Sequence, residues 1–429
     1  MRALRPLRRR PFRLLWAGLA VSLLGDGLWL VAVAWQVIEL GGGPLQLSLV
    51  ATLYSVGLVG CVLLGGVVAD RVSRRRIMVL ADLVRVAATV ALGALAVTGL
   101  LELWQMALGA LLIGAAEAFF VPAFTALVPQ LVPEDELLAA NGLEGVIRPL
   151  ALQAAGPALG GVLVGVADPG TAMLANGGTY VISVLCLTAI GTVALPPHEE
   201  GTGGASMLAD MRAGWRYMTG QRWLWSTLLF ACVAVLFVLG PIEVLLPFAV
   251  RDQTGGGSAQ FGLVLAVYGI GSALGAVLVA SRPFPHRYMT AMLLLWGLGT
   301  LPMALMGWLH VLWAMALVAF VVGVCDAGGG VIWGTLLQRR VPARLQGRVA
   351  SLDWFVSLAL MPISMALAGP AAELVGLGPV FVATGVGCAA VALAVLFGLR
   401  LRADELAHPL VDGPDRTRGT ASSADAAGA

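Results

Sequence analysis

Twelve runs of predominantly apolar residues follow one another along the chain. They lie near positions 13–40, 46–69, 77–98, 103–128, 142–166, 171–195, 223–250, 259–281, 289–308, 311–337, 348–372 and 377–400. A helix rises 1.5 Å per residue, so roughly 20 apolar residues cross the ~30 Å hydrocarbon core of a bilayer. The spacing predicts an all-α membrane protein with twelve transmembrane helices. The segments between runs are short, with one exception. Residues 196–222 open with PPHEEGTGG and read as a linker carrying a short amphipathic helix. The polar, Gly/Ala/Ser-rich stretch after Arg402 predicts a disordered tail over 403–429.

The pattern also repeats. The stretch GGGPLQLSLVATLYSVG (41–57) matches GGGSAQFGLVLAVYGIG (255–271) in frame, with Tyr54 opposite Tyr268. Later, GAAEAFFVPAFTALVPQLVP and GVCDAGGGVIWGTLLQRRVP each run from a Gly through an acid to a Val-Pro exit, with Glu117 opposite Asp326. The offset is 214 residues in the first match and 209 in the second, so one small deletion relates the halves. Two six-helix pseudo-repeats are expected, 1–195 and 223–402, joined by the linker 196–222.

Charge sets the orientation. Arginine concentrates at the N-terminus, after span 2 (Arg71, Arg74, Arg75, Arg76), in the linker, after span 8 (Arg282, Arg287) and after span 10 (Arg339, Arg340, Arg344). The alternate loops hold almost none, Arg251 excepted. The positive-inside rule then predicts that both termini and the linker are cytoplasmic. The first apolar run is too long for a signal-peptide core, so it is expected to remain as the first span.

Composition narrows the function. The chain is 59% hydrophobic and 12% charged, against about 25% charged in soluble domains. Its 26 basic residues are all arginine. Without lysine there is no P-loop and no Schiff base. The five cysteines are scattered through apolar runs, and the four histidines fall in loops, at span ends or in the tail. No metal motif, cofactor site or catalytic constellation follows from them. The expectation is a non-enzymatic monomer in the lipid bilayer with no nucleic-acid partner.

Two motifs carry a resemblance. Gly66, Asp70, Arg71, Arg74 and Arg75, just after span 2, are similar to the G-x-x-x-D-R-x-G-R-R/K motif of the major facilitator superfamily, with Ser73 at the usual Gly. Gly156, Pro157, Gly160 and Gly161 in span 5 resemble the G-P-x-x-G-G signature of its exporters. The chain resembles most the drug:proton antiporter branch that includes macrolide efflux proteins and siderophore exporters, over roughly residues 10–400. The resemblance implies a bacterial inner-membrane exporter of small apolar or amphipathic molecules, driven by protons through alternating access. It implies a substrate site between the halves, and an inward-side latch in which Asp70 pairs with Arg or caps span 11 near Arg348. It also departs from the branch: the run 110–114 lacks the span-4 Arg of other drug antiporters.

Ionisable residues inside spans are costly and usually functional. Asp26, Glu117 and Asp326 are placed near mid-membrane as candidates for proton coupling and the substrate cavity. Asp82, Arg85, Glu144, Arg148 and Asp353 are placed nearer the cytoplasmic ends, as one charge network beneath the Asp70 motif. Glu243 reads either as an outer gate or as a side chain reaching the headgroups. Trp29, Trp35, Phe237 and Trp333 read either as an apolar binding surface or as interfacial belt residues. A facilitator or importer of a metabolite and a non-transporting membrane sensor stay open as alternatives, the first disfavoured by the scarcity of Asn, Gln and Ser in spans 1, 4, 7 and 10.

Overall fold

A computed structural model of the chain describes residues 4–191, 207–399 and 401–410, with the side chains of 67, 69–71, 138, 207–211, 213, 343, 344 and 347 outside the description. Among the described residues there are twelve helices long and apolar enough to cross a membrane. Spans 1 to 6 are Arg10–Glu39, Pro44–Gly66, Arg74–Val97, Leu103–Leu131, Glu134–Val166 and Pro169–Ala189. Spans 7 to 12 are Arg222–Thr254, Ser258–Ala280, Tyr288–Trp308, Leu312–Arg340, Arg348–Val375 and Leu377–Gly398. Leu64, Leu185, Trp313, Leu317 and Leu374 are among the large apolar side chains left exposed on this bundle. Water would not tolerate so much exposed apolar surface; lipid does.

The sequence repeat is a structural repeat. Gly41 and Gly255 both adopt left-handed backbone, φ 76° and 66°, a conformation that glycine reaches without strain. Three residues after the cap, Gln46 and Gln260 accept the N–H of Gly43 and of Gly257 through their side-chain oxygens, each at 2.8 Å. Spans 2 and 8 therefore start with the same cap.

The bundle has three apolar cores. One, with Val37, Leu47, Val164, Phe261, Met306 and Met365, draws on both halves near the loops 40–43 and 254–257. The others lie toward the termini and belong to one half each: Phe12, Ile77, Val128 and Leu187 in the first, Trp223, Tyr288, Leu336 and Leu396 in the second. The halves thus share a core at the loop end and part toward the end that bears the termini. At the sealed end, span 2 meets span 11 and span 5 meets span 8. The Ser48 hydroxyl donates to the Met365 carbonyl. A Cβ on Gly369 would come within 2.6 Å of the Pro44 carbonyl.

The expected linker helix is present as Met207–Gly220; residues 192–206 lie outside the description. The tail departs from expectation. Residues Leu401–Ala407 form a helix that packs on the second half. Leu401 and Glu405 are buried. Asp404 accepts from Arg340 at 2.5 Å. Glu405 accepts the Thr290 N–H and hydroxyl at 3.0 and 2.6 Å, satisfying the free N-terminus of span 9. Polar composition alone did not reveal that these acids have partners. Residues 411–429, the rest of the expected tail, lie outside the description.

The orientation leads to a direct expectation. Single cysteines introduced at Gly42 and Thr219 in a cysteine-free background react with impermeant maleimide from opposite faces of the membrane, Gly42 from outside. Reaction of both from one side would contradict the arginine-based topology.

Candidate transport cavity and its charge cluster

Two helical irregularities shape the centre of the bundle. Span 5 passes through a wide π turn at Pro149–Ala155, and span 7 through another at Pro241–Leu245. Pro157 and Pro247 follow. Neither has an N–H, so the carbonyls four residues earlier, of Gln153 and Glu243, lose their helical partners. Such turns concentrate at functional sites. Both residues here line a cavity of about 280 Å³. Its wall also includes Asp26, Trp29, Tyr54, Ile113, Glu117 and Met361.

The polar groups behind this wall form one cluster. Tyr54 of span 2 donates to Glu117 of span 4 at 2.5 Å. Tyr180 of span 6 donates to Asp26 of span 1. Arg85 of span 3 stands between them, 2% exposed, with Nη2 3.9 Å from Glu117 and Nη1 3.5 Å from Asp82. Its guanidinium lies over the rings of Phe120 and Tyr180, 4.9 and 5.4 Å from their centres. Asp82 is fully buried and accepts the Ser183 hydroxyl at 2.7 Å. Five of the first six spans thus meet in one polar knot through side chains.

This arrangement corrects the expected single charge network. Asp82 and Arg85 turn inward and join Asp26 and Glu117. Arg85 lies eleven residues beyond Arg74, about 16 Å along the helix, and its long side chain covers the rest. Glu144 and Arg148 pair with each other at 3.2 Å on one helix. Asp353 accepts from Trp333 at 3.2 Å in the other half. Asp326 accepts from Tyr268 at 2.9 Å, the repeat counterpart of the Tyr54–Glu117 bond, but does not line the cavity. Of the four aromatic candidates, only Trp29 lines it. Trp35 stacks on Phe261 across the halves, with ring centres 5.8 Å apart. Phe237 packs against Gly387.

The two motifs act elsewhere. Arg74 donates to the Ala126 carbonyl at 3.1 Å. Arg75 donates to the Leu187 and Thr188 carbonyls at 2.7 and 2.9 Å, where span 6 ends. A cation suits the carbonyls of a helix C-terminus. Gly66 sits beside open space. The side chains of Asp70 and Arg71 lie outside the description.

The glycines of the span-5 motif permit two close approaches. A Cβ on Gly156 would meet Gly27 Cα at 2.7 Å, and one on Gly160 would meet Leu28 Cα at 3.0 Å, beside Asp26. One on Gly161 would meet the Ser258 carbonyl of span 8 at 2.6 Å. The motif therefore joins the cavity wall to the seal between halves. Overpacking costs about 1–3 kcal/mol, so Gly161→Leu is expected to reduce the closed population roughly tenfold. Disulfide trapping between cysteines placed at Ser48 and Met365 reads this directly. An unchanged yield in the Gly161→Leu background would mean that this contact is not part of the seal.

The profile of the transmembrane secretion effector family, within the major facilitator superfamily, matches residues 1–411. The chain belongs to that family. Among its curated relatives, the multidrug efflux pump Tap of Mycolicibacterium fortuitum is 26% identical over 93% of this chain and 98% of its own length. Macrolide efflux protein A of Streptococcus pyogenes is 24% identical over 87% and 92%. Among solved structures, the nucleoside transporter NupG superposes with a TM-score of 0.69, at 11% identity over 91% of this chain and 99% of that one. A bacterial homologue of the human lysosomal transporter Spinster gives 0.62, at 15% identity over 93% and 96%. These superpositions establish the fold. Family membership makes this secretion-effector chain a multi-pass membrane transporter and not an enzyme.

Four side chains in or behind the cavity escaped assignment from the sequence. Arg85 was visible as a charge but placed too near the surface. Tyr54 was visible in the repeat, yet nothing in the pattern paired it with Glu117. Tyr180 carried no signal. Glu243 was visible as an acid, but its turn toward the cavity depends on the π turn.

Proposed function

We propose that the chain is a secondary exporter of small apolar or amphipathic molecules, working by proton antiport and alternating access. It acts as a monomer in the bacterial plasma membrane, with both termini cytoplasmic and no nucleic-acid partner. The observation that carries the reading is the position of Asp26 and Glu117. Both stand on the cavity wall, and both are tied through tyrosines to the spans around Arg85. The efflux names of its relatives support the direction of transport.

One guanidinium faces three carboxylates there, so it can balance one fully. Protons on the cavity acids bring the cluster to neutrality, and cargo entering the same cavity disturbs it. With both termini inside, the core shared at the loop end closes the cavity to the exterior and leaves it loading from the cytoplasm. Asp26 and Glu117 are the first candidates to carry protons. Asp326, behind Tyr268, holds spans 8 and 10 together. Asp70, with Gly66 and Arg71, serves as the latch at the cytoplasmic side, while Arg74 and Arg75 anchor span 3 to spans 4 and 6.

Everted vesicles supplied from outside with a panel of amphipathic dyes test this. Energised vesicles containing the protein are expected to accumulate at least one dye, and an uncoupler to release it. Accumulation that survives the uncoupler would contradict proton coupling; accumulation of none would contradict export.

A further inference from the structure

A second cavity, of about 420 Å³, opens at the end of the bundle that bears the termini. Gln221 and Trp223 line it from the start of span 7 and Arg340 from the end of span 10. His408, Pro409 and Leu410 line it from the segment that follows the C-terminal helix. It shares no residue with the transport cavity, and its size falls among small-ligand pockets, about 300–1,000 Å³.

Arg340 is the cation of this wall. Its side chain is 9% exposed, and its guanidinium lies over the Trp223 ring, 4.6 Å from the centre. Among the described residues its side-chain hydrogen bonds run through Nη1, to Asp404 at 2.5 Å and to the Tyr288 hydroxyl at 3.4 Å. Nε and Nη2 are left for a ligand. Asp404 pairs with Arg340 but does not line the cavity, and no other carboxylate does so among the described residues. The Gln221 side chain does not cap span 7, so its amide can donate into the pocket. A guanidinium matches phosphate bidentately, and an amide adds a further donor. His408, exposed at the rim, adds a cation when protonated. Trp223, Pro409 and Leu410 offer apolar surface to whatever carries the anion.

The surroundings say what carries it. The helix Leu401–Ala407 has two faces: Leu401 and Glu405 are buried, Arg402 and Leu406 are exposed. Phe397, in the last turn of span 12, is also exposed, and the Arg402 guanidinium lies 5.7 Å from its ring centre. An exposed apolar ring beneath a guanidinium suits the boundary between acyl chains and headgroups. The helix therefore lies at the bilayer surface, with the pocket beside it. With the termini inside, as proposed above, that leaflet is the cytoplasmic one, whose anionic lipids seek basic pockets between spans.

We propose that this pocket binds the phosphate of an anionic phospholipid, with Arg340 as bidentate donor, Gln221 as second donor and Asp404 as competitor for Arg340. A headgroup seated there joins span 7, span 10 and the C-terminal segment of the second half.

The test uses purified full-length protein in dodecyl maltoside, which makes it independent of orientation and of transport. Dioctanoyl phosphatidylglycerol, dioctanoyl phosphatidylcholine and inorganic phosphate are titrated separately. Bound lipid is counted by native mass spectrometry, and the thermal transition is followed. The wild type is expected to bind phosphatidylglycerol at least fivefold more tightly than phosphatidylcholine and to gain thermal stability from it. Gln221→Glu keeps the shape and places a carboxylate on the wall; it is expected to weaken phosphatidylglycerol binding at least fivefold. Thr219→Glu adds the same charge on the linker helix, outside the pocket, and is expected to change binding less than twofold. Asp404→Asn releases Arg340 and is expected to tighten binding. Equal binding of the two lipids by the wild type would overturn the proposal, as would wild-type affinity in Gln221→Glu or equal losses in Gln221→Glu and Thr219→Glu. Weaker binding by a monodisperse Asp404→Asn would overturn the role of Arg340. Stabilisation by inorganic phosphate equal to that by phosphatidylglycerol would overturn the lipid as occupant and assign the pocket to a free phosphate.

Discussion

Asp26→Asn and Glu117→Gln are each expected to abolish uphill efflux while leaving a folded protein that still binds its cargo. Each substitution keeps the size of the side chain and removes its capacity to carry a proton. The tyrosine partners remain: Tyr180 can donate to the Asn amide oxygen and Tyr54 to the Gln amide oxygen. The shape of the cavity is therefore preserved; what is lost is the titration and, in Glu117→Gln, the charge facing Arg85 at 3.9 Å. One pH unit across the membrane supplies about 1.4 kcal/mol per proton, enough in a one-for-one exchange for roughly a tenfold gradient of a singly cationic cargo, which moves no net charge, and for more with a neutral one. The accumulation ratio in energised everted vesicles should fall from that range to about one in an amide variant that removes the carrier. Downhill counterflow, which needs the conformational cycle but no net proton movement, should persist. If uphill accumulation survives in both variants and in the pair combined, the acids are structural.

The second large effect concerns stability. Arg85→Met removes the guanidinium at the junction of spans 1, 3, 4 and 6. It leaves Asp82 buried without its ion-pair partner and strips the stacking on Phe120 and Tyr180. Taking one partner from a buried charge pair costs about 3–5 kcal/mol. Arg85→Met is therefore expected to reduce the yield of monodisperse protein severely and to lower its thermal transition in detergent. Because the cost comes from an uncompensated acid, Asp82→Asn in the same chain should recover a large part of it. Arg85→Lys keeps the charge but loses the planar stacking and should fall between. Failure of Asp82→Asn to rescue Arg85→Met would mean that packing, not charge, sets the loss.

Much of the fold was legible in the sequence because a bilayer imposes one dominant rule. Every span must be apolar over about 20 residues, so the ends read from the sequence lie within several residues of those in the structure. The pseudo-repeat was legible for a similar reason: the GGGPLQ and GGGSAQ segments build the same left-handed turn and glutamine cap. The candidate site was legible residue by residue, not as an assembly. Asp26 and Glu117 could be placed in depth by counting residues. Which helix faces which could not, so Arg85 and Asp82 were set with Glu144 and Arg148, although they turn toward the centre. Glu243 was ambiguous because its direction depends on a π turn, and neighbouring prolines do not announce that turn. The helical stretch at Leu401–Ala407 was missed because its acids are satisfied by Arg340 and Thr290, more than a hundred residues away in the case of Thr290.

The central claim is that the acids of the cavity release protons as cargo enters. It is tested most directly by adding rhodamine 6G to purified protein in weakly buffered detergent and following proton release with a pH indicator. The wild type is expected to release protons in proportion to bound dye, and the double variant Asp26→Asn, Glu117→Gln to bind dye while releasing clearly fewer, any remainder coming from Glu243 on the same wall. Release from the double variant equal to that of the wild type, at equal occupancy, would contradict the account.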